Sequence, residues 1–434
     1  GSLNVVATFT VTMGGIEEKA TLWAIPDSSP KVHFVRVGSY FDRSGLYGDL
    51  HGDYPDNAQR FALFSLACLE HLRGGKKKPD VIHAHDWQTG LVPFYARHGT
   101  GFRDAFDATA LLFTIHNIAY QGVFSKELLP SLGISWEHFH SHSLEFWDQL
   151  SLLKSGVLHA DKLSTVSPTY SKEIQLPEFG LGFEGILKVR RADIKGILNG
   201  LDKEVWNPAT DSALPHSYNE DDLGGKAKNK RVLQQQLGLE VDADRPLAAV
   251  VSRLSGQKGI DLLLPVMDRL LDRKRIQWVI LGSGDAGLER ELKAMSLMHP
   301  GSMAVRFAFD RELSRLIYAG SDFFLMPSRY EPCGISQLIA MRYGTIPIVS
   351  KTGGLVDTVT DLRTNGKTGN GFVFERSEPF ALLEACMDAI CLHGRSQLNA
   401  TAKKRAMRSV LSWKASAESY VDLYREAIGM RRKK

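Results

Sequence analysis

Short runs of β-branched and aromatic residues alternate with stretches of helical periodicity along almost the whole chain. The strand-like runs fall at residues 32–37, 80–85, 110–115, 162–166, 195–198, 247–251, 277–281, 304–307, 322–326, 346–349 and 371–374. Helical spacing occupies 57–72, 144–159, 259–271, 287–298, 312–320, 335–342 and 379–390, and a last helix at 413–429 has no strand after it. Gly, Asn or Asp follows the strands. This alternation predicts parallel sheets covered by helices. The opening strands read as antiparallel and irregular by comparison. Periodicity breaks across 199–245, where Asn199-Gly200, Asn207-Pro208 and the polar run 218–225 precede a fresh sheet at Leu247. The pattern therefore predicts two similar α/β halves.

Composition agrees with two domains, since 434 residues exceed one ordinary core. The formal net charge is only +4, much of it from Lys76–Lys78 and the terminal Arg431-Arg432-Lys433-Lys434. These clusters read as a decorated loop and helix end, so no nucleic-acid partner is expected. Cys68, Cys333, Cys386 and Cys391 show no paired metal spacing and suggest a reducing compartment. No apolar run reaches the ~18 residues of a membrane span, so no membrane partner is expected. No signal peptide opens the chain; Gly1-Ser2 reads as an expression remnant, with natural sequence expected upstream.

Candidate chemistry gathers where strands end. After the apolar run Asp322-Phe323-Phe324-Leu325-Met326 comes Ser328-Arg329-Tyr330-Glu331-Pro332-Cys333-Gly334-Ile335-Ser336-Gln337. Pro332 biases Glu331 away from helix, and Gly334 lets backbone approach a ligand beside a helix N-terminus. Such loops line the ligand crevice of open α/β sheets. Strand 247–251 runs into Ser252-Arg253-Leu254-Ser255-Gly256-Gln257-Lys258-Gly259, with two cations before a helix. That suits a diphosphate, although it is not a Walker A motif. Leu281-Gly282-Ser283-Gly284 reads as a tight turn lining a nucleotide pocket, and Lys351-Thr352-Gly353-Gly354-Leu355 as a backbone nest for phosphate. In the first half, His83-Ala84-His85-Asp86-Trp87 and His116-Asn117 end buried strands. His83, His85 and Asp86 invite a metal reading, but only His83 and His85 face the same side of the strand, and no third ligand at suitable spacing joins them. Asp86 with Trp87 better suits a sugar, and His83 and His85 also read as core histidines.

Together these residues resemble the bacterial glycogen synthase and plant or algal starch synthase family, retaining glucosyltransferases of the GT-B fold. The resemblance extends over essentially the whole chain. It is carried by His83–Trp87, Ile115-His116-Asn117-Ile118-Ala119-Tyr120-Gln121-Gly122, Thr165-Val166-Ser167-Pro168-Thr169-Tyr170, Ile197-Leu198-Asn199-Gly200-Leu201-Asp202, Ser252-Arg253-Leu254, Gln257-Lys258-Gly259, Glu331-Pro332-Cys333-Gly334 and Lys351–Leu355. It implies an α/β protein with two Rossmann-like domains facing a cleft, 1–200 and 201–411, and a C-terminal helix, 412–434, crossing back to the first. It also implies transfer of glucose from ADP-glucose to the non-reducing end of an α-1,4-glucan, without cofactor or metal.

Carried over by position, Arg253 and Lys258 would neutralise the diphosphate. Glu331 would hold the donor glucose and help stabilise the reaction centre. Gly334 and Ile335 would cradle that sugar, while Gly282, Tyr330, Thr352, Gly353 and Gly354 would line the nucleotide-sugar site. His116 would face the anomeric carbon, Asp86, Asn117 and Asn199 would bond sugar hydroxyls, and Tyr54 is a candidate on the acceptor side. Family members open with a strand and a Lys-Thr-Gly-Gly-Leu loop that has no counterpart from Leu3 onward, so an omitted upstream segment is expected. A non-catalytic glucan-binding homologue and another GT-B enzyme using UDP-glucose are the alternatives. The compartment would be cytoplasmic for a bacterial protein, and plastid stroma or starch granule for an algal or plant one.

Overall fold

The structure is a computed structural model that describes residues 3–375 and 378–433. Gly1-Ser2 and Lys434 of the basic tail therefore lie outside the described residues. The chain divides into two compact units. Unit 1 runs to Thr165, resumes over Ile174–Lys195 and takes the C-terminal residues from Tyr420. Unit 2 comprises Val166–Glu173 and Gly196–Ser419. The division thus falls just before Gly196, and the eight-residue piece 166–173 goes with unit 2, a detail that strand periodicity does not report.

Unit 1 opens with an antiparallel sheet of β1 (Asn4–Met13), β2 (Ile16–Ala24) and β3 (His33–Arg36). Gly14-Gly15, both at positive φ, make the two-residue turn between β1 and β2, whose register closes at Met13–Ile16. Its second sheet contains β4 (Val81–His85), β5 (Ala110–Ile115), β6 (Lys162–Thr165) and β7 (Ile194–Gly196), in the order β7-β6-β5-β4. β4 and β6 both run parallel to β5, and all six residues of β5 are buried, as helices on both faces require.

The helix expected over 144–159 is only half present. Glu145–Phe146 and Gln149–Ser151 pair as a small hairpin around Trp147-Asp148, and the helix runs only over Leu152–His159. Trp147 and Asp148 occupy left-handed backbone, which no helix continues through, and the Ser151 side chain then caps the new helix at the Lys154 N–H.

Unit 2 holds six parallel strands: β8 (Leu247–Val251), β9 (Gln277–Leu281), β10 (Met303–Arg306), β11 (Phe323–Met326), β12 (Ile346–Ser350) and β13 (Phe372–Phe374). Their order is β10-β9-β8-β11-β12-β13. Counted within the unit this is 3-2-1-4-5-6, the doubly wound Rossmann order. Successive residues point to opposite faces. Leu247, Ala249, Phe324 and Met326 enter one core, while Ala248, Val250, Phe323 and Leu325 enter the other. Because both faces are buried, the strands show no polar alternation.

At the amino end of β11, Asp322 is buried and bonds Lys230 at 2.8 Å and Lys403 at 2.7 Å. Burial alone would raise its pKa, yet the two lysines hold the carboxyl well below the usual carboxylate range. Lys230 lies on the helix Gly224–Leu237 and Lys403 on Ser396–Ser409. Neither helix was apparent from apolar periodicity, because several of their buried residues are polar. The final helix, Trp413–Arg431, bonds Leu198 O through Ser416 in unit 2 and His83 through Tyr424 in unit 1.

Candidate active site

The order of unit 2 makes β8 and β11 neighbours although 71 residues separate their ends, so their following loops meet at the topological switch point. There the Lys258 ammonium donates to Glu331 Oε2 at 2.6 Å, and Ser328 Oγ donates to the same oxygen at 3.0 Å. Glu331 is only 6% exposed. The loops are tied further by the Arg329 N–H to Gln257 O at 3.0 Å and by the Arg329–Asp261 ion pair. Gly259 sits at φ +67, and a Cβ there would fall 1.9 Å from Pro327 O. Only glycine permits that approach.

Arg253 and Gly282 line a neighbouring cavity of about 420 Å³ at the carboxyl ends of β8 and β9. Trp206, Phe309, Tyr318 and Val251 supply its mainly apolar wall. Such a cavity beside two cations suits a base and ribose next to a diphosphate. The aromatic wall was missed in the sequence. Phe309, just past β10, was within reach of the strand-end rule, whereas Trp206 comes from the irregular segment 199–245 and carried no signal.

The Lys351–Leu355 loop differs from a vacant anion nest. Buried Glu173 accepts the Gly353 N–H through both carboxylate oxygens at 3.1 Å. The Gly354 N–H donates to Glu331 O and Pro332 O, each at 3.2 Å. Gly353 and Gly354 thus serve packing: a Cβ on Gly353 would meet Glu331 O at 1.9 Å. Thr352 is buried beside them. Gly334 takes left-handed backbone, φ +72, and Ile335 follows as the N-cap residue of the helix Ser336–Arg342. Tyr330 directs its hydroxyl to that of Tyr170, with the rings 5.5 Å apart edge to face, so its phenol is engaged within unit 2. Asn199 belongs to unit 2, where its backbone N–H reaches the Cys333 thiol.

In unit 1, Tyr54, Asp86 and Asn117 line one pocket of about 800 Å³ with Trp87, Gln121 and Phe124. Asp86 adopts φ +56 and ψ −178, a region almost confined to glycine. The strain places its carboxylate to accept the His116 N–H at 2.7 Å. Burial raises the Asp86 pKa, opposed by His116 and by the backbone N–H groups of His116 and Asn117. The His116 ring lies 3.0 Å from His85, Nε2 to Nδ1. His83 is satisfied by Tyr424 OH at 2.9 Å and Thr114 Oγ1 at 2.6 Å. Burial, then the rings of His85 and His116, lower its pKa to about 3. These histidines are therefore engaged in ring and hydroxyl contacts. Among the described residues no helix is long and apolar enough to cross a membrane.

Comparison with known proteins gives the same chemistry a family. The starch synthase catalytic domain matches residues 2–189, and glycosyl transferases group 1 matches 234–406. The chain is 47% identical to a glycogen synthase of Syntrophotalea carbinolica, across 96% of this chain and 86% of that protein. It is 46% identical to a glycogen synthase of Geotalea uraniireducens, across 92% and 82%. Among solved structures, the catalytic domain of starch synthase IV from Arabidopsis thaliana, bound to ADP and acarbose, superposes with a TM-score of 0.90. It is 33% identical over 99% of this chain and 89% of that one. Sucrose-phosphate synthase from Thermosynechococcus elongatus, 18% identical with a TM-score of 0.59 over 94% of this chain and 86% of that one, shares the fold. With Rossmann-like units of the GT-B fold and a cation–carboxylate pair at the switch point, the chain belongs to the glycogen synthase and starch synthase family of glycosyltransferases.

Proposed function

We propose that the protein transfers glucose from ADP-glucose to the non-reducing 4-hydroxyl of an α-1,4-glucan, with retention of configuration. The observation that carries this reading is the Lys258–Glu331 pair beside the Arg253-lined cavity. Arg253 and Lys258 neutralise the departing diphosphate, and such charge-assisted bonds contribute about 1.5–3 kcal/mol each. Glu331 accepts donor-sugar hydroxyls, with Lys258 and Ser328 fixing its orientation. The apolar cavity takes the nucleoside. Asp86, Asn117 and Tyr54 hold acceptor sugars, since carboxylate, amide and phenol beside an indole match the polar edges and apolar faces of glucose. His116, fixed by Asp86 and His85, is assigned to the reacting sugar. The ADP and acarbose of the starch synthase IV structure support a nucleotide and a glucan-like ligand for this fold.

The charge of the leaving group is met by side chains, so we propose that no metal is required. The test is incorporation of labelled glucose into glycogen from ADP-glucose and, separately, UDP-glucose, with and without EDTA. We expect ADP-glucose to be preferred, EDTA to leave the rate intact, and Glu331→Ala to lower it at least about 100-fold. Equal turnover by Glu331→Ala and the parent would refute the site.

A further inference from the structure

Trp147 occupies a position that its chemistry does not favour. It is the first residue of the two-residue turn Trp147-Asp148, at φ +55 and +61, between strands whose register pairs Phe146 with Gln149. Such turns favour Asn, Asp or Gly, and a bulky residue at positive φ is strained. The indole gains no burial in return, being 78% exposed. Surrounding contacts hold the turn in place. The Asp148 N–H donates to Glu145 Oε1 at 2.9 Å, and Lys126 bonds Asp148 at 2.6 Å. Beneath it, Phe146 packs on Phe183 with ring centres 4.8 Å apart.

The surroundings connect Trp147 to the 800 Å³ pocket of unit 1. The indole abuts Gly182, where a Cβ would lie 3.3 Å from Trp147 Nε1 and 3.0 Å from Phe146. Leu181, exposed and in left-handed backbone, precedes it and accepts the Gln121 side-chain amide at 3.0 Å. Gln121 is itself pocket wall. The surface thus continues from the pocket through Gln121, Leu181 and Gly182 to an exposed indole. A planar aromatic beside a sugar pocket presents a face on which the apolar side of a pyranose can stack.

We propose that Trp147 is a stacking platform for α-1,4-glucan chain extending beyond the acceptor pocket, so that the enzyme distinguishes long acceptors from short ones. This rests on the glucan reading of that pocket. The probes are glycogen, maltoheptaose and maltotriose. In native gels containing glycogen, Trp147→Ala and Trp147→Asn should lose retardation, and Trp147→Tyr should recover it. In transfer assays the KM ratio of glycogen to maltotriose should rise about three- to tenfold in the Ala and Asn variants, as loss of one aromatic stack implies. Asn tolerates positive φ, so Trp147→Asn should also melt higher than the parent. A variant that is more stable yet binds long glucan less cannot be explained by misfolding. Parental retardation and an unchanged KM ratio in Trp147→Asn would overturn the platform. Parental retardation without transfer from any donor, lost in Trp147→Asn, would refute the proposed reaction and support the platform.

Discussion

Buried Glu331 is paired with Lys258, and Ser328 Oγ adds a second side-chain bond to the same carboxylate oxygen. Lys258→Ala therefore does more than remove the cation proposed to meet a diphosphate, because it leaves a carboxylate in a poorly solvated position. We expect a stability loss of about 1–3 kcal/mol, read from urea midpoints. The double variant Lys258→Ala/Glu331→Gln should recover most of it, and strict additivity would show that the pair is not coupled. At this scale the placing of Glu331, Arg253 and Lys258 in loops at strand ends was legible, because apolar strands that stop at Gly or Pro mark where such loops begin. Glu173 was not, since its partner Gly353 lies 180 residues away and Glu173 reads as an ordinary residue of a short helix.

Strands of unit 2 were legible to within a residue or two, as their apolar runs serve two cores at once. The helix Gly224–Leu237 was not, because polar residues do its inward work. Lys226 is fully enclosed there and donates to Ala319 O at 2.9 Å, Tyr343 O at 3.0 Å and Thr345 Oγ1 at 2.7 Å. The two carbonyls sit at the C-terminal ends of the helices Arg311–Gly320 and Ser336–Arg342, where a cation opposes the helix dipoles. Burial pushes the Lys226 pKa well below the usual lysine value. Lys226→Met cannot remove the backbone acceptors it abandons, so a loss of about 1–3 kcal/mol is expected in denaturant melts. The hairpin around Trp147 escaped notice for another reason: its apolar residues fit helical spacing, and only the turn chemistry departs from it.

For the whole chain, the ionisable groups predict unequal acid tolerance. Histidines with lowered pKa values are His71, His83, His85, His98 and His159 in unit 1, against His393 in unit 2. For His159, burial is the main cause, with a folded value of about 4 against 6.5 ordinarily. The unfolded chain then binds more protons between pH 4 and 6.5, so stability falls as pH drops through that window, by up to about 1.4 kcal/mol per unit for this one group. Asp322 acts in the same direction but at lower pH: its lowered pKa keeps its contribution intact above about 3.8, and the contribution is lost only on further acidification. Thermal melts from pH 7 to 4.5 should show unit 1 weakening first, and His159→Gln should flatten the trend. A pH-independent melt would contradict this.

The segment Val166–Glu173 also has a practical consequence. It follows a strand of unit 1, yet its Thr169 bonds Asp357 and its Glu173 caps Gly353, so the Lys351–Leu355 loop is finished by residues encoded far upstream. A gene fragment cut neatly at Gly196 would omit both partners and leave the Gly353 N–H without its carboxylate. Anyone dissecting unit 2, or exchanging it between relatives to test the proposed donor site, should therefore move these eight residues with it, because the structural module and the contiguous stretch of sequence are not the same object.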